Sequence, residues 1–198
     1  MRHMDIFLLR HAETESNRAG SLASGSEDAL TEYGHRQAQA IVDGLMELEI
    51  EAILCSPYAR ALDTVEPFAQ AASLPVVAHP CLAEGQLVLD NAISYEDPIY
   101  MPHSSGHLHP KENEQAGAFL RRALEAKELI FAQPVSKILV VTHGHMIREL
   151  LNIFLALPVK TRFPHDNCGL SLVSVGKINT VGFLNRAMSS NQYIHRKP

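Results

Sequence analysis

Two arginines, two histidines and a glutamate stand where apolar runs have just ended. Arg10 and His11 follow DIFLL and open the stretch RHAETESN, which closes on Asn17. Arg60 comes shortly after AILC, Glu84 after PVVAH, and His143 directly after KILVVT. Neighbouring guanidinium groups repel and are costly to desolvate unless an anion lies between them. At about 4 Å and an effective dielectric near 20, each attracts a unit negative charge by roughly 4 kcal/mol. A dianionic phosphoryl group satisfies two arginines at once, because their forks match its oxygens. A neutral imidazole beside that group can attack phosphorus. Amides opening the helix after His143 supply further donors.

The elements must bring these distant residues together. Residues 5–9, 52–55, 75–79 and 137–142 read as buried strands, and 169–175 with 179–184 as a closing hairpin or sheet edge. Between them run helical patterns. Thr31 caps one that carries Ala38, Ile41, Val42, Leu45 and Leu48 on a single face. Ser56-Pro57 reads as the cap and first residue of the next, which Pro67 should kink or shorten. Phe119, Ala123, Ala126 and Ile130 mark a third, and Met146, Ile147, Leu150, Leu151 and Phe154 a fourth. Alternating strands and helices imply a mostly parallel sheet covered on both faces. In such sheets ligands bind past the carboxyl ends of the strands, where all the named residues fall.

The chain has 198 residues, enough for one substantial domain. No apolar run reaches the length of a membrane span, and no basic segment with a long apolar core suggests a secretion signal. A net charge of −5 without a basic run argues against nucleic-acid or anionic-membrane partners, and leaves a small anion held in a cationic cleft. Cys55, Cys81 and Cys168 form no CxxC pair, so a reducing cytoplasm is the expected setting. Oligomeric state is not readable. Residues 80–110 hold four prolines, at 80, 98, 102 and 110, and read as a long functional lid or specificity segment. The tail from about 185 to 198 reads as frayed.

Four motifs in order, RHAETESN, ALTEYGHRQA, SPYARALDT and VVTHGHMIREL, resemble the histidine phosphatase superfamily, the phosphoglycerate mutase-like proteins. Ala12 stands where that family's opening signature has glycine. The resemblance implies one α/β domain over residues 1–198. It would be a three-layer α/β/α sandwich around a mostly parallel sheet of about six strands, one of them antiparallel. It also implies His11 as nucleophile, with Arg10, Arg60 and His143 clamping the phosphoryl oxygens and Asn17 adding a hydrogen bond. Ser24 and Gly25 match the substrate-loop position, and Glu84 the carboxylic acid that protonates the leaving oxygen. The expected reaction is hydrolysis of a phosphomonoester on a small metabolite through phosphohistidine, without metal or other cofactor. Mutase activity, or phospho-ligand binding without turnover, are the alternatives. The chain is short beside a typical mutase of that family, which favours hydrolysis.

Blander readings stand beside these. Lone arginines usually lie on solvated faces. Glu13 and Asp90 are lesser candidates for the acid, and His145 reads as structural. His103, His107 and His109 are more simply part of a polar lid than a metal site, which would need a supporting carboxylate or thiolate.

Overall fold

The computed structural model describes residues 3–20, 28–85, 116–157 and 161–188. Strand β1 (Met4–Arg10) is followed by helices α1 (Glu15–Arg18), α2 (Glu32–Ala40) and α3 (Val42–Met46). Then come β2 (Ala52–Cys55), α4 (Ala59–Ala72), β3 (Val76–Ala78) and a 3₁₀ turn (Pro80–Leu82). The remainder is α5 (Ala116–Phe131), β4 (Lys137–Thr142), α6 (Gly144–Phe154), β5 (Leu170–Val175) and β6 (Thr180–Arg186).

The strands form one sheet in the order β3-β2-β4-β1-β5-β6. β1, β2, β3 and β4 are parallel, whereas β5 runs against both β1 and β6. Alternation along the central strands separates two cores, since successive side chains leave a strand on opposite faces. Ile6, Leu8, Ile138 and Val140 pack with α5 and α6 residues such as Phe119, Ile130 and Leu150. Phe7, Leu9, Leu139 and Val141 pack on the other face with Leu45, Val65 and Phe68. Strands buried on both faces read as continuous apolar runs, which is why DIFLL and KILVV show no polar alternation. The result is the expected three-layer α/β/α sandwich, with a six-stranded sheet and one antiparallel strand. No helix among the described residues is long and apolar enough to cross a membrane.

β1 and β4 are adjacent, with Arg10 beside Thr142. The chain leaves β1 toward one helical layer and β4 toward the other, which opens a crevice at their carboxyl ends. The ladder continues past the strands. His11 N donates to Thr142 O (3.0 Å), and Ser56 N to Val141 O (2.9 Å). Those two bonds carry His11, Ser56 and His143 to one edge of the sheet.

Some local expectations change. The helix expected after Thr31 is two, divided at Ile41, although Ala38, Ile41, Val42 and Leu45 are all buried as the pattern requires. Ser56 does not cap α4. Its backbone is still tied to the sheet, so the helix begins at Ala59 behind Tyr58, without a side-chain cap. α4 continues through Pro67 to Ala72 rather than stopping there. The donor lost to proline is the partner of Asp63 O, on a half-exposed stretch where solvent can serve instead. The tail is ordered further than expected: β6 reaches Arg186 and Met188 packs on the second core. The segment expected to act as a lid or specificity element begins as a turn at Pro80–Leu82. Asp90, His103, His107, His109 and the end of the tail lie outside the described residues, as do Ser24 and Gly25.

The LTEYG motif acts on the loop after β1. Thr31 Oγ1 caps α2 by accepting from Gly34 N (2.9 Å) and donates to Glu13 Oε1 (2.8 Å). Gln37 Oε1 accepts from Glu13 N (2.9 Å), and Thr31 N donates to Glu13 O (2.9 Å). Helix α2 thereby holds the backbone two residues beyond His11. A Cβ at Gly34 would lie 2.1 Å from Glu13 O. Gly34→Ala should therefore cost about 2–3 kcal/mol, as overpacking against backbone does. Urea denaturation measures it, and an unchanged midpoint would remove this account of the glycine.

Candidate active site

Four residues expected in the site from sequence meet at this edge. His11 and His143 are 3% and 0% exposed, with ring centroids 5.2 Å apart. Arg60, 1% exposed, reaches the same pocket from the first turn of α4, and its guanidinium stacks 4.8 Å from the Tyr58 ring centroid. Tyr58 also meets the His143 ring edge-on at 5.2 Å. Arg10 Nη1 donates to His165 O (2.6 Å), while its buried Nε has no hydrogen-bond partner among the described residues.

The tautomer of His11 follows from its partner. Nδ1 lies 2.7 Å from Ala12 O, and a carbonyl only accepts, so Nδ1 carries the hydrogen. Nε2 is left with its lone pair. Burial pushes the His11 pKa down to about 3, with Arg10 and then Arg60 adding to the depression while the Ala12 bond opposes it. Desolvation thus exceeds the effect of the neighbouring arginine charge. Burial also lowers His143 well below its usual value, with His11, Arg60 and Arg10 acting in the same direction. Both rings are neutral before any anion binds.

The backbone around His11 is tied on every side. Ala12 N donates to Thr64 Oγ1 (2.8 Å), whose hydroxyl donates to Arg60 O (2.6 Å). Thr64 thus couples the His11 loop to the arginine's own turn. Asn167 Nδ2 donates to His11 O (3.0 Å) and Asn17 Oδ1 (2.8 Å). Asn17 also forms a reciprocal capping box with Thr14, so its Oδ1 is committed and its amide NH₂ is the donor side. Ala12 is fully buried in the second core, so its methyl occupies packed apolar space.

His143 Nε2 lies 2.7 Å from Ser56 Oγ. Ser56 Oγ also accepts from Tyr58 N (3.3 Å), and it holds the ring at Nε2, so Nδ1 is the ring's other polar atom. That Nδ1 is buried without a partner among the described residues.

Glu84 is set in place by its backbone. Arg122, on α5, donates from Nη1 to Cys81 O and Ala83 O and from Nη2 to Glu84 O (3.1 Å). Thr142 Oγ1 donates to Leu82 O (2.6 Å), fastening the same turn to the end of β4. The carboxylate is close enough to Arg10 and Arg60 to be the leading charge raising the pKa of both, against the larger lowering by burial. Glu13 is not in this group, because its carboxylate is held by Thr31. Burial raises the pKa of the Cys55, Cys81 and Cys168 thiols, so none competes as a nucleophile at neutral pH. No group of three or more metal-ligating side chains occurs among the described residues.

Sequence reasoning gave Ser56 the role of a helix cap and gave Thr64, Arg122 and Asn167 none. Thr64 stood inside a quoted motif without a role. Arg122 carried a usable signal: three residues after Phe119, it flanks the apolar face of α5 rather than opposing it. Asn167 sits in a loop where no periodicity applies.

The buried imidazoles make stability depend on pH. His11, lowered from 6.5 to about 3, binds a proton in the unfolded chain before it can in the folded one. Its contribution is complete above about pH 6.5 and is lost as pH falls toward 3. His143, lowered in the same sense, adds to this. Urea midpoints should therefore fall steadily from pH 7 to pH 5, before most carboxylates titrate. A midpoint independent of pH across that interval would contradict neutral burial.

The family model of the histidine phosphatase superfamily (branch 1) matches residues 6–181. The probable phosphoglycerate mutase GpmB of Yersinia pestis (strain Pestoides F) is 30% identical over 181 residues, covering 86% of this chain and 84% of its own. Among solved structures, the alpha-ribazole phosphatase from Shigella flexneri superposes with a TM-score of 0.76 at 25% identity, covering 96% of this chain and 100% of its own. A mycobacterial glucosyl-3-phosphoglycerate phosphatase, 22% identical, shares the fold with a TM-score of 0.71, covering 93% of this chain and 99% of its own.

Proposed function

Since the chain belongs to the histidine phosphatase superfamily (branch 1), we propose that it hydrolyses a phosphomonoester through a phosphohistidine formed on His11. The observation that carries this reading is the His11 ring: Nδ1–H fixed on Ala12 O, Nε2 bare, and the buried Arg60 and half-buried Arg10 beside it. Arg10, Arg60 and His143 clamp the phosphoryl oxygens and stabilise the charge spread over them in a loose transition state. The Asn17 amide adds a donor. His11 Nε2 bonds to phosphorus as the ester P–O bond breaks, and Glu84 gives its proton to the departing oxygen. Water then attacks phosphorus, Glu84 takes the proton from that water, and the P–N bond breaks to release phosphate. The two arginines supply the positive charge, so this scheme needs no metal ion.

Glu84 can do both tasks because the phosphoryl dianion reverses the local field. Before binding, the field at the crevice is that of Arg10 and Arg60; the bound dianion cancels it. The substrate in this reading is a small phosphorylated metabolite, for which a cationic notch on a chain of net charge −5 is suited. Ser24 and Gly25 would contribute to its binding. The setting is a reducing cytoplasm, consistent with three free, buried cysteines. Phosphate release from a panel of phosphomonoesters in the presence of a chelator tests the reading. Activity abolished by chelation would defeat it.

Resemblance to GpmB favours a second reading, transfer of the phosphoryl group to another hydroxyl. A phosphorylated sugar acid separates the two: hydrolysis gives free phosphate, whereas a mutase gives an isomer.

A further inference from the structure

We propose that His145 is a positioning residue for the acid–base step, sharing one proton with the Glu84 carboxyl. The inference rests on the phosphatase reading above. His145 Nδ1 lies 3.7 Å from Glu84 Oε1. This nitrogen is buried and has no hydrogen-bond partner among the described residues. Glu84 Oε1 accepts from Gly85 N (3.0 Å), and Arg122 holds the Glu84 carbonyl. The carboxyl therefore stands on a fixed backbone, with an unsatisfied imidazole nitrogen facing it across an ion-pair distance.

The surroundings explain why such a partner is useful. Arg10 from β1, Arg60 from α4 and Arg122 from α5 are arranged about Glu84, and Arg148, one turn along α6, acts on His145. His11 and His143 are neutral. The departing oxygen needs a proton, and Glu84 is the carboxyl placed to give it. His145 is itself lowered by burial first, while Glu84 opposes that lowering. A phosphoryl dianion cancels Arg10 and Arg60, and the pair then retains a single proton. Once the 3.7 Å gap closes to hydrogen-bond distance, protonated His145 passes it from Nδ1 to Glu84 Oε1, leaving neutral imidazole and carboxylic acid. Glu84 transfers that proton to the ester oxygen as P–O breaks and P–Nε2 forms on His11. In the second half-reaction the proton taken from water returns to the pair.

Two substrates and two variants test this. p-Nitrophenyl phosphate has a leaving group that departs as an anion, whereas an alkyl phosphate needs a proton donor. His145→Gln and His145→Asn should lower kcat/KM on the alkyl phosphate by about tenfold or more. On p-nitrophenyl phosphate the change should stay within about twofold, because no proton is required there. The alkaline limb of the alkyl-phosphate profile should move to lower pH, since the proton is no longer held between two groups. In a Glu84→Gln background, His145→Gln should have no further effect. Equal losses on both substrates, no loss, or an unmoved limb would each overturn the proposal. Rapid-quench trapping on the unaltered protein distinguishes the failures. Absence of phosphohistidine removes the phosphatase reading itself, whereas its presence with equal substrate responses removes only His145.

Discussion

His11→Ala should lower kcat by about 10⁴-fold or more, because it removes the atom that bonds to phosphorus. Inorganic phosphate should still bind, since Arg10, Arg60 and His143 remain to hold its oxygens. The effect is separable from unfolding. His11 anchors the loop chiefly through backbone bonds, from its own N to Thr142 and from Cys168 and Asn167 to its O. Circular dichroism and phosphate protection against heat check that the pocket persists. Activity near that of the unaltered chain would show that the nucleophile lies elsewhere.

The second largest effect belongs to Arg60. Its side chain is almost wholly buried at the end of the crevice, where a charge interacts strongly with an anion. Arg60→Ala should lower kcat/KM by about 10³-fold, the upper range for removing one donor to a developing charge. Arg60→Lys should recover only part of this, because an ammonium keeps the charge and loses the fork. Steady-state kinetics with p-nitrophenyl phosphate measures both. If Arg60→Lys were as active as arginine, charge alone would suffice and the bidentate clamp would be wrong.

The pH behaviour and these losses share one cause. A notch that desolvates two guanidinium groups and two imidazoles is unfavourable when empty, and a dianion relieves it. The free protein carries that cost in a site held rigid by others. Thr64, Asn167, Thr31 and Arg122 bond mainly to backbone, so the loops bearing His11 and Glu84 are fixed before any ligand arrives. Fixed dipoles need no reorganisation as charge develops, which is how such a site lowers a barrier.

Much of this was legible in the sequence, for identifiable reasons. Strands buried on both faces give unbroken apolar runs, so KILVVT and AILC appear with their observed bounds. Parallel topology then sends the next residue of each strand to one edge, which places His11 and His143 together without any knowledge of side-chain contacts. Long-range partners were less legible. Ser56 looked like a helix cap because Ser-Pro usually is one; the sheet ladder holds its backbone and His143 lies beside its hydroxyl. The claw of Arg122 on three carbonyls depends on how α5 docks against the Pro80–Leu82 turn, a packing event that periodicity does not encode. The division at Ile41 left the buried face of α2 and α3 intact, so the pattern gave the core correctly and the helix boundary incorrectly.

The central claim is a covalent bond between phosphorus and one ring nitrogen. Mixing the protein with a labelled phosphomonoester and quenching in alkali within milliseconds, followed by peptide mass spectrometry, reads it directly. The account predicts an acid-labile phosphoryl group on His11 that appears before free phosphate and is absent from His11→Ala. Turnover with no phosphorylated histidine, or with the label on another residue, would contradict it.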